Sequence, residues 1–349
     1  GVTSELHIEQ LYDYQGRSFV QPPTYLKPVS HTYGASGVAE GDPYCYAPKK
    51  WIHTWSGHTK PITGLQFFPR YGHLLLSSSM DFNIKIWDVL DHRKCIRTYM
   101  DHRGAVRGIS FSHNGKQFSS CSYDKTVKVW DVETGKVLHT FSNGKLPNCV
   151  VMHPEAHRSN DLLVGYQDKK ILHWDMRSGG VVTTYNRHLG SVNTISYVDD
   201  ARKFVSTSDD KSIRVWEFGI PVEVKYVADP YMHSMPAVSV SANTKWFIGQ
   251  SLDNKIYVYE TMHFRQHKKK VFEGHMTAGY ACQLGFSNDG RYVISGDSTG
   301  NLWVWDWKST KNVKTIKAHD GVSLATAWHP IESSKVVTRG LDCTIKLWD

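Results

Sequence analysis

Residues His102–Asp131 read HRGAVRGISFSHNGKQFSSCSYDKTVKVWD. Val106–Phe111 alternates as a strand does, Asn114-Gly115 supplies a hairpin turn, and Lys116–Ser122 resumes as a second strand. Tyr123-Asp124-Lys125 makes another turn, and Val127–Trp130 a third strand. A meander of three or four strands this short cannot bury both of its faces, so the unit needs like neighbours to complete a core.

Close copies of the unit run along the chain. They open on Gly57-His58, Asp101-His102, Arg187-His188, Met232-His233, Gly274-His275 and Ala318-His319. They close on Trp87-Asp88, Trp130-Asp131, Trp174-Asp175, Trp216-Glu217, Tyr259-Glu260, Trp305-Asp306 and Trp348-Asp349. Successive closings lie 42 to 46 residues apart, which makes seven units and one large repeat domain in a chain of 349 residues. In combination these marks resemble the WD40 family over residues 51–349. The resemblance implies an all-β, seven-bladed WD40 β-propeller of four-stranded blades, preceded by an extended N-terminal arm.

In blades resembling these, the opening His, a strand hydroxyl, the turn Asp and the closing indole form a buried hydrogen-bond relay. That assigns His58, Asp81 and Trp87; His102, Asp124 and Trp130, with Ser120 or Ser122; His188, Asp210 and Trp216; His275, Asp297 and Trp305; and His319, Asp342 and Trp348. Asp168 and Asp253 complete the turn acids. A hydrolase needs one Ser–His–Asp constellation, whereas this chain repeats it, so the groups are read as satisfying buried polar atoms and no catalytic residue is assigned. The third unit has Phe141-Ser142-Asn143-Gly144-Lys145-Leu146-Pro147 where Gly-His should stand, and the fifth closes on Tyr259. Their relays are expected to be incomplete, at about 1–3 kcal/mol for each buried donor left unpaired.

The chain stops at Trp348-Asp349, the end of a third strand. Lys50 to Ser56, just before the first Gly-His, alternates as a strand and is expected to join the last blade as its fourth, removing an exposed sheet edge. The domains are then 1–49, a docking arm, and 50–349, the propeller. The arm holds five prolines and the aromatics Tyr12, Tyr14, Phe19, Tyr25, Tyr33, Tyr44 and Tyr46, too many for a solvating linker. It binds either its own domain or a partner, with Tyr12, Tyr14, Arg17 and Phe19 as the contact candidates. A start at Gly1 reads as a piece of a longer protein.

Hydrophobic residues at 40% and charged residues at 21% are ordinary for a globular protein, and no apolar run is long enough to span a bilayer. The six cysteines stand singly, without a CxxC pair, and read as reduced and mostly buried, with Cys121 and Cys343 as core fillers. Nothing matches a nucleotide loop or a paired Cys/His metal site, so no cofactor is assigned. The net charge of +8 lies in the repeats, since residues 1–50 carry four Lys/Arg against five Asp/Glu. Such a balance permits a phosphate-rich partner without demanding one.

The most basic run, His267-Lys268-Lys269-Lys270 with Arg265, falls in the longest connection, between Tyr259 and His275. It reads either as a contact to RNA phosphates or an acidic partner, or as a solvated loop or outer-strand face. Arg107, Tyr123, Gln167, Asn193, Asp209 and Tyr280 stand next to the repeat's landmarks and are expected to rim one face of the central channel, suited to a peptide or nucleic acid.

Leu6-His7-Ile8, Asp13-Tyr14-Gln15-Gly16-Arg17-Ser18, and Trp51-Ile52-His53-Thr54-Trp55-Ser56-Gly57-His58-Thr59-Lys60 are similar to a family of spliceosomal second-step factors. That likeness implies a nuclear, non-catalytic scaffold subunit of the spliceosome, acting in the exon-ligation step of pre-mRNA splicing. Its partners would be spliceosomal proteins, with contact to the snRNA or pre-mRNA backbone left open. It would be a monomer within a large complex, with no membrane and no small-molecule substrate. The residues alone stop at a seven-bladed binding platform with a docking arm. A substrate receptor of a ubiquitin ligase, or a peptide reader, is the alternative on the same platform.

Overall fold

Seven antiparallel sheets stand around a central channel in a computed structural model that describes residues 1–33, 36–40 and 44–349. Blade 2 sets the pattern: Val106–Phe111 innermost, then Gln117–Ser122, Val127–Asp131 and Val137–Phe141 outermost. The hairpin between its first two strands turns at Asn114-Gly115, where Gly115 takes a φ of 70° that glycine adopts at little cost. The inner strands pack each against the next, and Ser323–Trp328 of blade 7 returns to Ile62–Phe67 of blade 1. Apart from one turn of 3₁₀ helix at Ala156–Arg158, the regular elements among the described residues are strands.

The apolar cores lie between blades as well as within them. Trp55, Val337, Ile345 and Leu347 of blade 7 cluster with Ile62, Leu75 and Trp87 of blade 1. A blade therefore buries its second face only against its neighbour, and the closed ring supplies a neighbour to each. Closure is made by Trp51–Trp55, which lies antiparallel to Ile345–Trp348 with Trp55 opposite Ile345 and Trp51 opposite Trp348. The first long strand of the chain thus completes the sheet formed by its last residues.

The arm lies on its own propeller. Ser4–Leu6 adds a fifth strand to blade 1, pairing antiparallel with Cys95–Tyr99. Phe19 and Val20 pack on the cluster between blades 1 and 2, and the Phe19 and Val20 carbonyls lie 3.2 and 3.1 Å from His73 Nε2. Thr32–Tyr33 and Ala39–Glu40 form a short hairpin; the Ala39 N–H donates to the Asp289 carbonyl of blade 6, and Ser36 accepts from the Trp307 indole at 2.9 Å. The Cys45 N–H then donates to Asp289 Oδ2 at 2.7 Å, and the Tyr46 N–H to the Ser333 carbonyl of blade 7.

Of the readings open for the basic run, the structure takes the outer-strand one: Gln266–Phe272 is the outer strand of blade 5, paired with Lys255–Glu260, and not a free connection. One expectation is corrected here. Cys343 is no core filler, since it sits half-buried in a turn with a φ of 66°, whereas Cys121 is fully buried.

Candidate functional site

The relays fix the loops that build one face of the ring. In blade 2 the Trp130 indole N–H donates to Ser120 Oγ at 2.8 Å, Ser120 Oγ lies 2.6 Å from His102 Nε2, and His102 Nδ1 lies 2.8 Å from Asp124 Oδ2. An indole can only donate and a carboxylate only accept, so the protons run one way: Trp to Ser, Ser to Nε2, and Nδ1–H to Asp. Ser122 accepts from the Asp124 N–H and stands outside the relay. The same set recurs with Ser77 in blade 1, Ser206 in blade 4 and Thr338 in blade 7. Burial alone would raise the turn carboxyls, but bonds from the histidines outweigh it: Asp81, Asp124 and Asp210 are held below their ordinary value and Asp342 is lowered to about 2.

Each turn also places the next residue in the left-handed region: Phe82, Lys125, Lys169, Lys211, Asn254, Gly300 and Cys343 all have φ between 64° and 92°. That regularity exposes a misassignment in blade 6. Gly300 follows Thr299, so Thr299 holds the turn-acid position and Asp297 lies two residues earlier. Asp297 accepts from the Trp303 indole at 2.6 Å, Trp305 donates to the Glu273 carbonyl, and His275 reaches Gln250 Oε1 of blade 5 at 3.0 Å. The expected His275–Asp297–Trp305 relay is therefore absent, and burial pushes His275 down to about 4.

In blade 3 Val164 replaces the hydroxyl, and the Trp174 indole donates instead to the Tyr166 hydroxyl at 3.1 Å. Blade 5 has Gly249 at that position, Tyr259 without an indole N–H, and an exposed His233. A Cβ at Gly249 would meet Met235 Sδ at 2.5 Å, so a larger residue there would make the methionine shift.

The loops so fixed surround the channel mouth. An inner ring takes one residue from the start of each innermost strand, including Arg107, Asn148, Asn193 and Gln283. An outer ring takes the residue before each turn acid: the N–H groups of Met80, Tyr123, Gln167, Asp209, Leu252 and Leu341 all donate to backbone carbonyls just ahead of the inner strands. Arg107 and Tyr123 come together, with the guanidinium 4.7 Å from the ring centroid and bonded to the hydroxyl. Asn193 and Asp209 come together likewise, the amide donating to Oδ1 at 2.8 Å. Gln167 is exposed on the outer ring and Tyr280 on the connection entering blade 6; neither meets the other candidates.

Sequence reasoning missed the apolar part of this face. Met80, Phe82, Leu252 and Met276 are exposed around the same mouth, and Leu189, directly after its relay histidine, is 75% exposed. A usable signal existed, because each stands beside a turn position or directly after an opening histidine, where the repeat brings the chain to the surface.

The remaining candidates lie elsewhere. Lys268, Lys269 and Arg265 are exposed on the flank of blade 5. Lys270 is not available as a phosphate contact: its Nζ donates to the Trp307 carbonyl at 2.6 Å and sits 4.8 Å from the centre of that ring. Tyr12 and Tyr14 are exposed on a tight hairpin, Tyr14 at 95%, which Asp13 holds by accepting from the N–H groups of Gln15 and Arg17. Arg17 is spent on the Pro22 carbonyl, and Phe19 packs on blade 1, so neither is offered outwards.

The WD domain, G-beta repeat family matches residues 49–88, 93–131, 179–217, 266–306 and 310–349. The unmatched stretches between 131 and 179 and between 217 and 266 hold most of blades 3 and 5, the two that lack both the relay hydroxyl and the histidine contact to a turn acid. The chain is 53% identical over 345 residues to pre-mRNA-processing factor 17 of Mus musculus and 52% identical to that of Homo sapiens. Each alignment covers 99% of this chain and 58% of the relative, so the chain spans well under two thirds of their length. Against pre-mRNA-processing factor 17 of Saccharomyces cerevisiae it is 38% identical over 333 residues, covering 94% of this chain and 71% of the relative. The chain belongs to the WD40 repeat family and, within it, to the family of pre-mRNA-processing factor 17.

Proposed function

We infer that this protein is a non-catalytic scaffold of pre-mRNA splicing, acting in the nucleus as a subunit of the spliceosome and serving the exon-ligation step. Its kinship with pre-mRNA-processing factor 17, at 38% identity over 71% of the yeast relative, carries the reading. The channel face supports it: mixed amide, charged and aromatic groups with exposed methionine and leucine suit protein docking. Relays beneath the loops of blades 1, 2, 4 and 7 hold that part of the face in one shape, which lowers the ordering cost of binding. A rigid platform of this kind acts by differential affinity, favouring the arrangement of a changing machine whose surfaces fit it.

The arm spends most of its length on its own propeller and offers the Tyr12–Tyr14 hairpin as a second contact. Lys268, Lys269 and Arg265 form the surface on which an RNA backbone would be met.

Affinity capture from nuclear extract tests this, using the chain and its Met276→Asp and Tyr123→Asp variants, with recovered proteins identified and recovered RNA sequenced. Recovery of spliceosomal proteins with snRNAs, reduced at least several-fold by the face variants, is expected. Recovery of ubiquitin-ligase subunits without snRNAs would overturn the reading in favour of a substrate receptor.

A further inference from the structure

One position on the second strand of each blade directly follows the relay position. It holds Ser78, Cys121, Gly165, Thr207, Gln250 and Gly296 in blades 1 to 6, all neutral, and Arg339 in blade 7. Arg339 is 4% exposed; its Nη1 donates to the Ile62 carbonyl across the seam to blade 1, and its Nε is buried without a partner. A buried guanidinium with a neutral acceptor is costly unless an anion offsets it. Yet none of the ion pairs among the described residues involves Arg339.

Arg339 lines the central channel instead. That cavity, about 650 Å³, has a second cation in its wall, Arg107, and among the described residues no Asp or Glu. Asp209, whose carboxylate is held by Asn193, belongs to the outer ring and not to the wall. The same wall carries the Gln283 side chain and the Thr326 hydroxyl, the latter buried without a partner. The channel of a molecule with acids in nearly every turn is thus lined by two positive charges and neutral groups.

We propose that the central channel is a binding site for one phosphate-class oxyanion, with Arg339 and Arg107 supplying the charge and Gln283 and Thr326 supplying neutral donors. Two uncompensated cations match a dianion better than a single carboxylate, and guanidinium groups pair with phosphate oxygens through parallel N–H bonds. The anion enters by the mouth where Arg107 stands, either free or as the phosphoryl group of a partner's side chain. Burial lowers Arg339 to about 9, which still leaves it charged at neutral pH. The site rests on the channel wall and is independent of the splicing assignment.

Thermal unfolding of the 349-residue chain in inorganic phosphate, in acetate and in chloride at equal ionic strength tests the proposal. At a hundredfold excess over Kd, phosphate should shift the folding equilibrium about a hundredfold, and acetate less than a tenth as far. Arg339→Gln and Arg107→Gln should each remove most of that response. Because Arg339 also spans a blade seam, Arg107→Gln decides the matter should the first variant not fold: the Tyr123 to which Arg107 bonds lies in its own blade. A full phosphate response in Arg107→Gln, or no response beyond chloride in the parent, overturns the site. A parallel titration with N-acetyl-O-phosphoserine amide separates the sources: tighter binding than inorganic phosphate assigns a phosphorylated side chain, equal or weaker binding a free anion, and either supports the channel site.

Discussion

Replacing Ser120 with alanine removes one oxygen and breaks two contacts. The Trp130 indole N–H loses its acceptor at 2.8 Å, and His102 Nε2 loses its donor at 2.6 Å, both in a site where Ser120 and Trp130 are fully buried. Water cannot enter to replace the hydroxyl without displacing packed side chains, so both groups stay unpaired. At about 1–3 kcal/mol for each of the two unsatisfied buried groups, the cost is roughly 2–6 kcal/mol. An unfolding entropy of about 2.1 cal/mol/K per residue over this chain turns that into a fall in Tm of roughly 3–8 °C. The assay is urea unfolding followed by tryptophan fluorescence, with thermal melts in parallel. Ser120→Thr is the control, because Thr338 performs the same task in blade 7 at 2.9 Å to both partners. Loss of less than about 1 kcal/mol in Ser120→Ala, or an equal loss in Ser120→Thr, would refute the hydrogen-bond account and leave shape alone as the role of the serine.

Acid should unfold the protein in two stages. His73, His275 and His329 are lowered to about 4 by burial, so the unfolded chain binds more protons than the folded one below about pH 6.5, and stability falls from there towards pH 4. The turn carboxyls, held low by their histidines, contribute stability that is present above about pH 4 and lost as pH falls towards the value near 2 of Asp342. Urea midpoints from pH 8 to 3 should resolve both windows, and His275→Gln should reduce only the upper one. Lys270→Ala should cost about 1 kcal/mol through its lost contact with Trp307, whereas Lys268→Glu with Lys269→Glu should leave stability within about 0.5 kcal/mol; equal effects would contradict the pinned geometry. Removing residues 1–8 takes away the Thr3 carbonyl that accepts from the Met100 N–H. Hydrogen exchange at Met100 should then quicken at least tenfold while amides of the inner strands hold their protection.

The fold was legible because its signals are local and repeated. Each Trp-Asp ending, each turn acid and each strand alternation restates the same small unit, and the leftover segment before Gly57 had only the last blade to join. The corrections came where contacts cross between units. Asp297 stands in a turn acid's neighbourhood, and only the left-handed residue at Gly300 reveals the true register. Lys270 reads as a surface charge until blade 6 supplies Trp307, 37 residues further on. Arg339 sits in a strand where alternation predicts nothing about a channel, and the arm's route depends on Asp289 and Asp349, which lie far along the chain. Pairwise meetings across such separations leave no periodic trace.

The pairing of Trp51–Trp55 with Ile345–Trp348 sets the order of events during synthesis. The ribosome makes the closing strand before any blade and its partner after all of them. Until Trp348 emerges, Trp51 to Trp55 has no sheet to complete, and its apolar side must wait exposed or be shielded. The completed units can stack vectorially as they appear, but the ring can close only once Ile345–Trp348 has left the ribosome. A nascent protein of this design therefore stays at risk of mispairing until that point, with an open edge on blade 7 and the unattached Trp51–Trp55 strand held ready before blade 1.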